Sequence, residues 1–135
     1  MTALAASRNV DHFVDQQLRT FKVKGSTTVY RGAFVGLASG LARGLVAQDL
    51  FVGIAYEQVA NAGSDGAKSV KVFTVGDFEL TLTSVAQANV GAAVYATDDG
   101  TLTLTSTNNS YIGVVVDVLG TNLALVRIDP FRTAP

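Results

Sequence analysis

The strongest constraint on this chain is a short module that recurs. A glycine-led apolar run, Gly32-Ala33-Phe34-Val35-Gly36-Leu37, leads to Phe51-Val52-Gly53-Ile54-Ala55, and further on Gly91-Ala92-Ala93-Val94-Tyr95 leads to Tyr111-Ile112-Gly113-Val114-Val115. Both pairs are rich in β-branched and aromatic residues around a glycine, which is strand composition. Neither carries the nucleophile, base and ligand types from which an active site is assembled. A duplicated strand unit of this kind predicts a small β-barrel that holds things rather than transforms them. Two copies are too few for a solenoid.

At 135 residues the chain suits one domain with one sizeable core. Hydrophobic residues make up 48% and charged residues 16%, so disorder of the body is excluded and much of the surface must be Thr, Ser, Asn, Gly and Ala. A surface so poor in charge suits burial against neighbours. The formal net charge of -1 argues against nucleic acid as a partner, because neutralising phosphates takes a surplus of Lys and Arg on one face. The absence of cysteine removes disulfides, thiolate catalysis and Cys-ligated metal together. The longest strongly apolar window, residues 32–42, falls far short of the twenty or so residues that span a bilayer, and no basic leader precedes an apolar stretch at the start, so the reading is a soluble protein without a membrane partner.

Along the chain the period changes once. Val10, Phe13, Val14, Leu18 and Phe21 fall at helical spacing among Asp11, Asp15, Gln16 and Arg19, so residues 9–20 read as a short amphipathic helix or arm, with Ser7 or Asn9 to cap it. So short a helix needs a surface for its apolar face, supplied by its own barrel or by a partner. From Lys22 the pattern is β. Residues 68–75 and 78–83, separated by Gly76-Asp77, predict a tight hairpin with Phe78, Leu80 and Leu82 on the core face. A second hairpin is expected at Asp98-Asp99-Gly100 and a third at Gly120-Thr121-Asn122, and Pro130 ends the ladder. The reading is all-β, a barrel or sandwich of about eight to ten short strands with an internal pseudo-repeat. Residues 1–24 form the arm and residues 25–135 the barrel. The small, polar, glycine-rich loop at residues 61–67 is expected to separate the repeat halves.

A search for chemistry finds no constellation. His12, the sole histidine, lacks ligand or base partners at working spacing and reads as solvated and structural. Asp98-Asp99-Gly100 lacks the alternating oxygen ligands and distal Glu of a calcium loop and reads as turn chemistry. The glycine-rich stretch at residues 36–44 has no Gly-Lys-Ser/Thr ending and reads as bends; Ser39 has no Gly-x-Ser-x-Gly elbow. Asn108-Asn109-Ser110 is formally a glycosylation sequon and reads as a turn. The aromatics Tyr30, Phe34, Phe51, Tyr56, Phe73, Phe78, Tyr95 and Tyr111 read as core or subunit-interface packing, since the basic groove of a stacking platform is missing. No catalytic residue, cofactor, metal or small-molecule substrate is expected.

Taken in order, the two modules, Val72-Phe73-Thr74-Val75-Gly76-Asp77-Phe78-Glu79-Leu80 between them, Asp99-Gly100-Thr101-Leu102-Thr103, and the closing Ala124-Leu125-Val126-Arg127-Ile128 resemble the capsid cement, or head decoration, proteins of tailed bacteriophages, a family of short β-barrels. The resemblance spans residues 25–129. The familiar members run almost directly into the first strand, whereas this chain has an additional amphipathic segment through Phe21. The resemblance implies a structural protein of the virion, on the outer surface of the capsid and assembled in the host bacterial cytoplasm. It also implies a homotrimer that clamps neighbouring subunits of the major capsid protein without turnover. The residues expected to touch the capsid are Val10, Phe13, Val14, Leu18 and Phe21, unless the segment packs back on its own barrel. Removing residues 1–21 is expected to leave a folded, largely β protein. The other reading is a small SH3-like or OB-like barrel that binds a peptide or nucleic acid; the missing basic stripe counts against nucleic acid.

Overall fold

The computed structural model of the chain describes residue 6 and residues 18–133. Among these the only helix is one 3-10 turn at Gln87–Asn89, and twelve strands carry the rest. They are β1 (Leu18–Lys22), β2 (Thr27–Val29), β3 (Phe34–Ala38), β4 (Leu41–Gly44), β5 (Leu50–Ala55), β6 (Val59–Asn61), β7 (Ser69–Phe73), β8 (Asp77–Thr81), β9 (Ala93–Ala96), β10 (Leu102–Thr103), β11 (Ser110–Gly120) and β12 (Leu123–Ile128). The all-β reading holds, with more and shorter strands than expected.

The strands form two five-stranded antiparallel sheets, ordered β1-β7-β5-β3-β4 and β10-β9-β11-β12-β8, and a two-stranded β2-β6 ribbon. Matching the pairings strand by strand shows that the sheets are the same object. In the first, Val35 lies opposite Gly53 and Gly36 opposite Phe51, with Val52 bulged out of register; in the second, Val94 lies opposite Gly113 and Tyr95 opposite Tyr111, with Ile112 bulged. The outer pairs follow suit, Ile54 with Phe73 as Val114 with Arg127, and Leu37 with Ala42 as Ala96 with Leu102. At the far side Leu18 faces Phe73 as Asp77 faces Arg127. The pseudo-repeat is therefore a complete five-strand module, β1-β3-β4-β5-β7 and then β8-β9-β10-β11-β12, with the β2-β6 ribbon inserted into the first copy.

This moves two expected boundaries. β7 and β8 are not a hairpin: they belong to different sheets, and Thr74-Val75-Gly76 is the corner between modules. Gly76, at φ +135°, supplies the backbone freedom that also suits a tight turn, so local sequence could not separate the two. The loop at residues 61–67 lies inside module one, not between the halves. It is fastened by Asn61, 2% exposed, whose Nδ2 donates to the carbonyls of Val23 at 3.0 Å and Ser64 at 3.0 Å while its Oδ1 accepts from the Gly63 N–H. The other turns stand where expected. Ser39 and Gly40, at φ 52° and 78°, close β3 on β4 as a two-residue turn with positive φ at both positions.

The modules differ in closure. In module one a parallel bridge between Val23 and Ala42, with the Lys24 N–H donating to the Ala42 carbonyl at 3.0 Å, joins the two edges into a barrel around Val29, Val35, Val52, Val70 and Val72. The equivalent pair in module two, Leu82 and Leu102, makes no bridge among the described residues. Both are buried in a cluster with Ile112, Val115 and Val126, which Phe34, Leu45, Phe51 and Ile54 of module one complete. The Phe34 N–H donating to the Asp99 carbonyl at 2.9 Å and Ser110 Oγ donating to the Asp49 carbonyl at 2.6 Å cross the same boundary. Shared apolar burial makes the two modules one folding unit.

The last three residues of the helix expected over residues 9–20 are strand. Leu18, Arg19 and Thr20 are extended and paired with Phe73, Val72 and Lys71. Cross-strand pairing with a β-branched neighbour overrides the helical spacing of their apolar residues. Residues 9–17 lie outside the described residues.

Candidate interaction surfaces

Of the residues expected to touch the capsid, Val10, Phe13 and Val14 lie outside the described residues. Leu18 is 42% exposed at the start of β1. Phe21 faces the other way: it packs on the module-one core and its ring lies 6.0 Å from that of Phe131. The structure thus separates the two described members of the set, one outward and one bound to the barrel.

The aromatic residues divide similarly. Phe34, Phe51 and Tyr111 are buried. Tyr56, Phe73 and Phe78 form a chain of ring contacts at 5.3 and 5.7 Å that runs across the module corner, with Tyr56 and Val75 exposed beside it. Such contacts are worth roughly 0.5–1.5 kcal/mol each beyond area. Leu18 stands opposite Phe73 at the edge of this strip.

The polar residues that sequence reasoning weighed are employed in turns. Asp98 Oδ1 accepts from the Gly100 N–H at 2.9 Å, and that bond chiefly holds its carboxyl below the usual carboxylate range. Tyr111 donates its hydroxyl to Asp129 Oδ2 at 3.1 Å; burial first, and then Asp129, raises its pKa, so it stays a protonated structural donor. Arg43 grips Asp49 through two bonds of 2.9 and 2.8 Å. Arg127 grips Asp77 through bonds of 2.8 and 3.0 Å at the register position that module one fills with Leu18 and Phe73. Among the described residues no three His, Cys, Asp or Glu side chains come together as a metal site, and no helix is long and apolar enough to cross a membrane. His12 lies outside the described residues.

A pair of antiparallel modules whose turn aspartates and arginine-aspartate pairs serve turns and cross-strand ties, and which carries an aromatic strip across its corner, is a body for contact. A scan against family models bears on what it contacts: the model described as phage cement protein matches residues 14–129. The chain belongs to the phage cement protein family. Neither the curated proteins nor the solved structures compared with it give a match. The family match begins before β1, so it takes in this strand, which lies outside the resemblance read from sequence over residues 25–129. As a cement protein the chain has a structural role and its place is the capsid of a virion. The polar side chains that sequence inspection could not rank, above all Asn61 and Asp77, prove to be architectural, and only the strand pairings reveal it.

Proposed function

We propose that this protein is a head-stabilising cement that binds the outer surface of an expanded phage head as a homotrimer and clamps adjacent subunits of the major capsid protein. Family membership carries this reading. Geometry supports it: the two modules share one apolar cluster, so the chain is a rigid body able to span neighbouring subunits. Val10, Phe13 and Val14, which precede Leu18 in sequence, are the apolar side chains of the arm that meets the capsid. Phe21 anchors the arm's root to the barrel.

A ligand that binds only the expanded lattice stabilises that state by mass action, about 2.7 kcal/mol for each site held at a hundredfold excess over its Kd. No turnover is required. Mixing the purified protein with expanded, undecorated heads and pelleting them tests the binding. Saturable, stoichiometric co-pelleting is expected; none at any salt concentration would overturn the reading.

A further inference from the structure

The repeat sets two equivalent sheet faces outward and gives them opposite charge. On module one the outward residues are Leu18, Thr20 and Lys22 of β1, opposite Phe73, Lys71 and Ser69 of β7. On module two they are Asp77, Glu79 and Thr81 of β8, opposite Arg127, Leu125 and Leu123 of β12, with Asp117 of β11 facing Leu125 from the other side. Lys22 and Lys71 are exposed, and neither has an ion-pair partner among the described residues. The same holds for Glu79 and Asp117, whereas Asp77 is neutralised by Arg127. One face therefore presents two lysines, of which Lys71 is next to Phe73 along its strand and Lys22 lies at the far end of the ladder, and the other two carboxylates on either side of a leucine.

We propose that the β1-β7 face of one copy, with Lys22, Lys71 and Phe73, docks on the β8-β12 face of a second copy, with Glu79 and Asp117 flanking Leu125. The charges select the partner. Each face repels its own kind, which disfavours a self-complementary contact, and each finds its complement on every other copy of the chain. Within one copy the faces belong to sheets joined by the Thr74-Val75-Gly76 corner, and their unpaired charges do not meet. A head-to-tail contact of this kind makes a ring where its rotation closes and an open filament where it does not, and the homotrimer proposed above, on which this pairing rests, is the closed case. Such charges at the rim of an apolar contact make assembly sensitive to salt.

Charge reversal tests the pairing. In sedimentation velocity the wild-type protein should sediment as a closed oligomer at low salt and dissociate in part at high salt. Lys71→Glu or Glu79→Lys alone should weaken association about tenfold or more. The two in one chain should restore it. Circular dichroism melts check the fold, and Lys22→Glu with Asp117→Lys is the second pair if a variant fails to fold. A wild-type monomer at every concentration, single reversals without effect, or a double reversal that does not recover would each overturn the proposal. The assay contains no heads, so its failure removes the free homotrimer but leaves head binding to be judged by pelleting, and failure to bind heads leaves this pairing standing.

Discussion

At the scale of single residues, the fold rests on positions where no other side chain fits. A Cβ on Gly53 would run into the Phe73 carbonyl oxygen and one on Gly113 into that of Arg127, two equivalent sites of the repeat. Gly53 also sits at φ +148°. Gly53→Ala and Gly113→Ala should each destabilise by about 2 kcal/mol or more, read as a lower urea midpoint with unchanged slope. Asn61→Ala takes the second donor from the Val23 and Ser64 carbonyls, which keep the Gly66 and Ala67 N–H groups, and the acceptor from the Gly63 N–H, for about 1–2 kcal/mol and a loop more open to protease. Asp77 gives the pH dependence. Its hydrogen bonds to Arg127 lower its pKa below the ordinary 3.8. A carboxyl with a depressed folded-state pKa contributes stability above the unfolded value and loses it as pH falls through the folded one. Asp77→Asn should therefore be slightly less stable than wild type at neutral pH, and the difference should close as pH drops below about 4 in acid titrations followed by fluorescence or circular dichroism.

At the scale of elements, hairpins were legible in the sequence and corners were not. Asp98-Asp99-Gly100 and Thr121-Asn122 join strands that pair with each other, so local turn chemistry and global pairing agree. At Gly76-Asp77 the same chemistry joins strands of different sheets, and only partners distant in sequence, β1 and β5 for β7 and β12 for β8, decide the matter. The helical spacing from Val10 to Phe21 misled over Leu18 to Thr20 for a related reason, since β7 lies far along the chain. This pairing also moves the cut expected to spare the fold. Removing residues 1–17 should leave a β-rich spectrum and melting curve close to wild type while weakening head binding. Removing residues 1–22 also deletes β1 and Phe21, and should lower the melting temperature by roughly 10 °C or more. Equal melting of the two truncations would show that β1 contributes nothing to the barrel.

At the scale of the whole molecule, the recurring glycine-apolar run read from sequence was the centre of a larger unit. Five strands recur in the same order and register, but β7 and β12 share little more than alternation, so sequence alone exposes the central strands and hides the outer ones. The opposed charge of the two outer faces was illegible for the same reason, because Lys71 and Leu125 become equivalent only once the pairings are known. A duplicated five-strand module with a shared core is one body, and that lets binding energy at separate contacts act on one lattice. Thermal release of DNA from expanded heads, followed with an intercalating dye as the protein is titrated in, measures that cementing directly. The release temperature should rise and saturate at the stoichiometry found by pelleting; saturated heads that open at the same temperature as bare ones would contradict the account.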